Sequence, residues 1–590
     1  MDIPRRKLEG FVRDTADQCF SSRAERINRG EFFQNYFTTG SSDVTSPALY
    51  NKVFASVDDL ESLLYSPVSL RFHIGDPDAP NALNEAKCRA ASAKLRTFAR
   101  QSETDTMISD ANRVGLVKGK GVIKQLFKRG SFSPSLIQPE DMGVLRENVT
   151  QLDENMEAFA HTMLITTHQF ARLVSNHVDK ADLMRKARRY VNPSTGSTRM
   201  KNAAMPVSIG GLHPFQAAST VSASGLRGMV NWMAQPKPSL APEVEQSLLE
   251  LQEVWVWDDA REDWATFQIV GDDMLIMGKY QIINALAYDP QTKQSVAMLK
   301  GVHPFREFCA NPVDDYFWGR SEISHLIGLQ EAINARIAGI NRLLRLQEDP
   351  TTKFVGSTGV NQTALARYRK PGGYWTDTNP NAKIEKDVVT IPQDLWGSLH
   401  EYERMFDDMM GLPPVAKGKG ESGVRSNNHA QTLVRQFSPR FKDRALLTER
   451  SVEALGGLML DLARAHDDRK LTAWVPQKEA GVEASEPDPL TVAPATGLVE
   501  VKFRFADLPE NVTLTIDSHS SSPAFSQDAK ALAFDLLKVG AMSAAELVEH
   551  VDATDPDELQ MGIMRREIAR AEAEKQKAVL KAMGGKQGKH

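Results

Sequence analysis

The residues nearest to phosphate chemistry are two glycine–lysine segments, Val117-Lys118-Gly119-Lys120-Gly121 and Lys417-Gly418-Lys419-Gly420. A nucleotide-binding loop of the GxxxxGK[ST] kind needs glycines so that backbone N–H groups can cradle phosphates, and a hydroxyl after the lysine to hold magnesium. Neither segment has that spacing or that hydroxyl. Hydrolysis of ATP by this chain is therefore not expected, and both segments read as solvated turns. Four carboxylate pairs, Asp258-Asp259, Asp272-Asp273, Asp314-Asp315 and Asp407-Asp408, have the charge to attract a divalent ion. None has the EF-hand pattern or a neighbouring His/Asp set at ligand spacing, so they read as turns or as a solvated helix edge. No GxSxG elbow and no HExxH sequence occurs, and the histidines are scattered. No catalytic set, metal or cofactor is expected, and the chain does not read as an enzyme.

Basic residues form further groups. Arg113 to Arg129 contains Lys118, Lys120, Lys124 and Lys128 and no acid, interleaved with Val122, Ile123, Leu126 and Phe127. That interleaving favours an amphipathic structural segment over a phosphate-facing one. Arg185, Lys186, Arg188 and Arg189 read as an exposed helix face, with an interface role as the alternative. Arg367, Arg369 and Lys370 are followed by Pro371-Gly372-Gly373-Tyr374-Trp375, a combination of basic and aromatic anchors enriched at interfaces. Lys417, Lys419, Arg425 and Asn428 lie on or beside a glycine-rich loop. The last lysines, Lys575 to Lys589, suit a helix C-terminus through the macrodipole, with DNA contact as the sharper reading.

These groups must be carried by a chain of 590 residues, too long for one core, so two or more lobes or one elongated multi-part subunit are expected. With 41% hydrophobic and 25% charged residues, wholesale disorder is excluded. Cys19, Cys88 and Cys309 are far apart and odd in number, which rules out a disulfide framework and fits assembly in a reducing cytoplasm. The opening MDIPRRKLEGFVRD carries charges where a signal peptide needs an apolar stretch, and no run of about 18 apolar residues occurs. A net charge of −5 argues against coating nucleic acid by bulk attraction.

The clearest element starts near Ser321, a plausible N-cap, and ends before Asp349-Pro350, with Leu326, Ile333, Ile337, Ile340 and Leu344 on one face. About 27 residues at 1.5 Å each give a helix of roughly 40 Å. A β-rich module or loop cluster follows over Thr351 to Pro392, then a returning helix from about Asp394 to Met410, stopped by Gly411-Leu412-Pro413-Pro414. A further helical stretch from Asn427 to Ala465 contains Pro439, which predicts a kink or break near Phe437 to Arg440. Val254 to Val302 suggests an antiparallel meander, Thr195 to Pro242 a long insertion, and Glu479 to Thr496 a linker. Val499 to Phe505 and Val512 to Ile516 alternate as two half-buried strands, expected as a hairpin with a long connection. Helices are expected over 526–539, 543–550 and 556–583.

This order resembles tailed-bacteriophage portal proteins. The residues carrying the resemblance are Phe317-Trp318-Gly319-Arg320-Ser321-Glu322-Ile323, Gln330-Glu331-Ala332-Ile333-Asn334, Met410-Gly411-Leu412-Pro413-Pro414 and Glu421-Ser422-Gly423. Upstream, Val114 to Lys124 followed by Ile137-Gln138-Pro139-Glu140-Asp141 looks like the strand pair entering a portal wing, and a helix starting at Thr166 or Thr167 is similar to the family's next element. The resemblance covers most of Asp105 to Arg444 and leaves the first hundred residues and the 195–242 insertion unplaced.

The resemblance implies an α+β, elongated portal-type subunit with long stem helices, a β-containing wing, a small clip insertion and a helical C-terminal crown, assembled as a ring. It places an N-terminal wing region at 1–318, a stem helix at 319–347, a clip at 348–393 and a returning stem helix at 394–411. A tunnel loop follows at 412–428, the kinked long helix and remaining wing strands at 429–523, and the crown at 524–590. The implied role is a homo-oligomer, usually a dodecamer, at one capsid vertex of the virion, assembled in the host cytoplasm. Its implied partners are the major capsid protein, the terminase large subunit, head-completion or adaptor and tail proteins, and double-stranded DNA passing without sequence specificity. On that mapping Arg367, Arg369, Lys370, Tyr374 and Trp375 serve motor or adaptor docking on the clip, and Lys417, Lys419, Arg425 and Asn428 border the DNA channel. Two other classes fit the same elements: a non-ring virion or scaffold-like interaction protein, and a nuclease with a dispersed site.

Overall fold

The computed structural model describes residues 5–43, 45–65, 72–75, 82–128, 130–175, 180–188, 248–270, 273–275, 299–348, 350–356, 379–387, 390–411, 439–476, 498–509, 511–516, 534–539 and 566. The chain mixes helix and sheet and divides into two units. Unit 1 holds Met1–Gln34, Val57–Glu322 and Ser438–His590; unit 2 holds Asn35–Ser56 and Ile323–Phe437.

The chain opens with α1 (Arg5–Cys19), α2 (Arg23–Thr39) and α3 (Lys52–Leu64), the unit boundary falling within the last two. Next come β1 (Phe72–Gly75), α4 (Ala82–Gln101), α5 (Thr104–Lys118), β2 (Gly121–Lys128), β3 (Ser131–Ile137), β4 (Met142–Val144) and β5 (Ala158–Thr166). Then follow α6 (Thr167–Leu173), α7 (Lys180–Ala187), β6 (Leu248–Asp258), β7 (Asp263–Val270), β8 (Asp273–Leu275) and β9 (Phe305–Phe308). Unit 2 carries α8 (Ile323–Glu348), β10 (Thr351–Val355), β11 (Lys383–Asp387) and α9 (Gln393–Met410). The return to unit 1 is α10 (Pro439–His466), β12 (Leu471–Pro476), β13 (Leu498–Phe503) and β14 (Thr513–Ile516).

In unit 1 the order β4-β5-β6-β7-β8 forms an antiparallel sheet, and β3-β2-β9 a second. Leu8, Val12, Ala16 and Cys19 recur every three or four residues, one helix face, and all four are buried against Ala160, Val254 and Phe267 of the larger sheet. Thr166 ends β5 and caps α6: its hydroxyl accepts from the Gln169 N–H at 3.2 Å while Gln169 Oε1 accepts from the Thr166 N–H at 2.8 Å. The main core joins both sheets to α10 through Val452, Leu455, Met459, Leu462 and Ala463, again one helix face. Phe159 packs on Trp255, Trp264 and Phe305 with ring centroids 5.0 to 6.0 Å apart, within the range favoured by aromatic pairs.

The meander as far as Leu275, the presence and C-terminal ends of the two helices of unit 2 and the helix beginning after Thr166 match their sequence expectations, while residues 276–298 lie outside the described residues. Others are corrected. Val499 to Phe505 and Val512 to Ile516 do not pair with each other: β13 pairs with β12 and β14 with β1, both antiparallel. Alternation specifies a half-buried strand but says nothing of its neighbour. Val114 to Lys118 is not strand but the last turn of α5, closed by Gly119, so the strand starts at Gly121. The long helix starts at Ile323 while the Ser321 hydroxyl donates to the Val117 carbonyl at 2.5 Å. α10 is described from Pro439 onward, so the kink or break expected near Phe437 to Arg440 falls at the edge of the described residues. Residues 427–438, the 195–242 insertion, and nearly all of the three expected C-terminal helices lie outside the described residues, which retain helix at 534–539 and 566.

Candidate functional site

Unit 2 is built on the antiparallel pair α8 and α9. Between them the strands β10 and β11 pair in register from Thr351 with Asp387 to Val355 with Lys383. α8 has 26 residues and spans roughly 39 Å at 1.5 Å per residue. Its buried side chains are Ile323, Leu326, Gln330, Ile333 and Ile340. None of the α8 residues after Ile340 is buried. α9 buries Leu399, Phe406 and Met410 and stops at Gly411, whose left-handed φ of 70° lets its N–H reach the Asp407 carbonyl at 3.0 Å. The guanidinium of Arg336 stands 5.9 Å from the Tyr402 ring centroid and fixes the two helices at that height.

Gln330 interrupts the apolar stripe of α8 and is fully buried. A buried amide must find partners. Its Nε2 donates to the Tyr50 carbonyl at 2.8 Å and to Asn334 Oδ1 at 2.9 Å, and its Oε1 accepts from the Lys52 N–H at 3.1 Å. Asn334 Nδ2 donates to the Gly40 carbonyl at 2.8 Å, and Glu331 Oε1 accepts from the Ser42 N–H at 3.0 Å and from the Tyr36 hydroxyl at 3.3 Å. Lys52 reaches the other helix: its Nζ donates to the Glu403 carbonyl at 2.6 Å and pairs with Asp407 at 3.1 Å. The segment Asn35–Ser56 is thus fastened to α8 and α9 by polar groups. Burial and the Glu331 carboxylate raise the Tyr36 phenol above its ordinary value, and burial with Glu403 and Asp407 does the same for Tyr50. Sequence reasoning missed Lys52 and the fastening role of Gln330, although a glutamine inside an apolar stripe is a visible signal.

The surface of this unit is apolar in places. Leu49 is 80% exposed, and Trp396, Met405, Met409, Leu344 and Leu346 are also exposed. Five of these six lie on the two helices, and Leu49 lies on the segment fastened to them. The residues expected to dock a partner, Arg367, Arg369, Lys370, Tyr374 and Trp375, lie outside the described residues, as do Lys417, Lys419, Arg425 and Asn428.

In unit 1 the cations of the Arg113 to Arg129 stretch are mostly spent internally. Lys118 pairs with Glu140 at 2.7 Å, Lys120 with Glu307 at 2.5 Å and Lys124 with Glu253 at 2.5 Å, and the three lysines are buried. Lys120 also stands 3.6 Å from the Phe317 ring centroid. These lysines hold the core together and face no solvent phosphate. Arg185 and Lys186 both pair with Asp182 on α7, and Arg189 lies outside the described residues. The loop before α8 is anchored by Glu322, which accepts from Arg444 at 2.7 Å and from Asn311 at 2.8 Å, and by the Trp318 indole N–H, which donates to Glu147 at 3.0 Å.

A groove of about 630 Å³ in unit 1 is lined by Phe11, Gln18, Arg146, Glu157, Trp257 and Asp259 among others, with Arg146 and Glu157 paired across it. Among the described residues no group of three or more His, Cys, Asp and Glu side chains is placed to hold a metal ion, and no helix is long and apolar enough to cross a membrane. No protein-family model matches the chain, and no curated protein matches its sequence.

Proposed function

We propose that the chain is the subunit of a tailed-bacteriophage portal ring, the channel through which viral DNA enters and leaves the head. The observation that supports this reading best is the α8–α9 pair with exposed apolar side chains along it, carrying a small sheet between its helices. A helix pair with apolar surface left over is stabilised by neighbours, and a repeated heterologous contact closes into a ring. The order of elements adds to it. Trp318, Gly319, Ser321 and Glu322 anchor the entry to the first long helix, and Gln330, Glu331 and Asn334 fasten it to Asn35–Ser56.

In this reading α8 and α9 form the stem and 348–393 the clip, where Arg367, Arg369, Lys370, Tyr374 and Trp375 meet the packaging motor or an adaptor. Lys417, Lys419, Arg425 and Asn428 border the channel. The work is mechanical, with ATP hydrolysis left to the motor. A rotationally repeated subunit cannot match the sequence of the DNA inside it, so its contacts are directed at the backbone and are weak.

Electron microscopy of the purified protein tests this. Closed rings with a central hole are the expected result. Persistent monomers at high concentration, with no ring recovered beside capsid or scaffold protein, overturn it. Assemblies without a hole favour a scaffold-like interaction protein.

A further inference from the structure

We propose that neighbouring copies of this chain dock through opposite charges on the outward faces of the helix pair, Arg342 and Arg345 of α8 in one copy against Asp394 and Glu401 of α9 in the next. This rests on the ring reading above and names the surfaces that would close the ring.

The charges of the two helices are unequal. α8 carries Arg336, Arg342 and Arg345 against Glu331 and Glu348, whereas α9 carries Asp394, Glu401, Glu403, Asp407 and Asp408 against Arg404 alone. Some of these are already engaged within the chain: Arg336 with the Tyr402 ring, Glu331 with Ser42 and Tyr36, Asp407 with Lys52, and Glu401 with Arg404 at 2.6 Å. Arg342, Arg345 and Asp394 are exposed and have no ion-pair partner among the described residues. The Glu401–Arg404 pair lies on the surface, where such pairs are readily exchanged.

Their positions are what a head-to-tail contact requires. Arg336 and Tyr402 mark one height on the antiparallel pair. From there Arg342 and Arg345 lie roughly 9 to 14 Å toward the sheet end of α8, and Asp394 lies roughly 12 Å toward the same end of α9, at 1.5 Å per residue. Arg342 and Arg345 on α8 and Asp394 on α9 are each turned away from the buried stripe of their helix and are exposed, and within the chain they do not pair with one another. A rotation about an axis along the pair preserves height, so it brings Arg342 and Arg345 of one copy level with Asp394 of the next, while Glu401, roughly 7 to 12 Å nearer the Tyr402 level, extends the same acidic stripe. Apolar side chains flank both sets. Leu346 follows Arg342 by one turn, and Asp394, Glu401 and Met405 share one stripe of α9 at helical spacing, with Leu346 and Met405 exposed. A Cβ at Gly339, one turn before Arg342, would meet nothing within 4 Å, so the face between is open.

The test is a charge swap on the full chain, read by native mass spectrometry and electron microscopy, with circular dichroism confirming that each variant is folded. Arg342→Asp with Arg345→Asp should weaken assembly at least tenfold, and so should Asp394→Arg with Glu401→Arg. All four together should restore it in large part. Folded single-set variants that assemble like wild type overturn the proposal, as does a fourfold variant no better than either set. If wild type forms rings indifferent to the swap, the docking surface falls and the ring reading stands. If it forms assemblies without a hole that obey the swap, the docking stands and the ring reading falls.

Discussion

Gly119 and Gly319 lie back to back, so close that a Cβ on Gly319 would stand 3.1 Å from the Gly119 carbonyl oxygen. Gly119 closes α5 with φ of 110°, and Gly319 turns the chain toward α8 with φ of 62°. A Cβ on Gly119 would also come within 2.6 Å of the Trp318 carbonyl oxygen. Both residues need the conformational freedom and the missing side chain that only glycine has. Replacing Gly119 by alanine should destabilise the protein by on the order of 2–4 kcal/mol. Urea denaturation checks this, and an unchanged midpoint would show that the two backbones can separate freely.

Lys118 and Glu140 form a buried pair, and Gln138 accepts a second hydrogen bond from the same ammonium at 2.8 Å. Lys118→Met leaves the carboxylate without its cation and should cost about 3–5 kcal/mol. Joining it with Glu140→Leu should recover a large part of that loss, because a buried ion pair and an apolar replacement are similar in energy once neither charge is stranded. The four-variant cycle in chemical denaturation measures the coupling.

Asp141 is half-buried beside this pair, and desolvation lifts its carboxyl to about 7 despite Arg23 at 3.7 Å. A raised carboxyl pKa means that the folded state holds a proton that the unfolded state has released. Its contribution to stability is therefore fully present below the unfolded value of about 3.9 and is lost as pH rises through about 7. Wild type should lose stability relative to Asp141→Asn between about pH 4 and pH 7, with a slope approaching about 1.4 kcal/mol per pH unit. His303, pushed down to about 3 chiefly by burial, acts in the opposite sense and weakens the fold as pH falls below about 6.5. Comparing the two proteins at each pH removes that shared component. Parallel curves would show that Asp141 is ionised in the fold.

Gln330→Ala should release the Asn35–Ser56 segment before it unfolds anything else. The substitution strips partners from the Lys52 N–H and the Tyr50 carbonyl, each worth about 1–3 kcal/mol when buried and unpaired. Hydrogen exchange should accelerate at the Lys52 amide while the Phe159 and Trp255 amides of the large sheet keep their protection. Equal acceleration at all three would mean that the segment does not open by itself.

Periodicity and stop signals act over a few residues, so the sequence by itself determined where the helix pair lies, that Gly411 ends it, that Thr166 starts a helix and that β6 and β7 belong to a meander. The same local rules made the strands near Val501 and Leu514 visible, but a strand's alternation carries no label for its partner, and only the tertiary structure joined them to β12 and β1. The lysines show the division most clearly. In the sequence, Lys118, Lys120 and Lys124 stand in a stretch without an acid, and the carboxylates that bury them come from Glu140, Glu307 and Glu253, the last 129 residues from Lys124. Gln330 likewise marks itself as an exception within an apolar stripe, yet its partners Tyr50 and Lys52 are some 280 residues distant in the chain. Side-chain chemistry is written locally, whereas desolvation and pairing depend on which distant segments the folded chain brings within about 3 Å, and that is decided by tertiary packing alone.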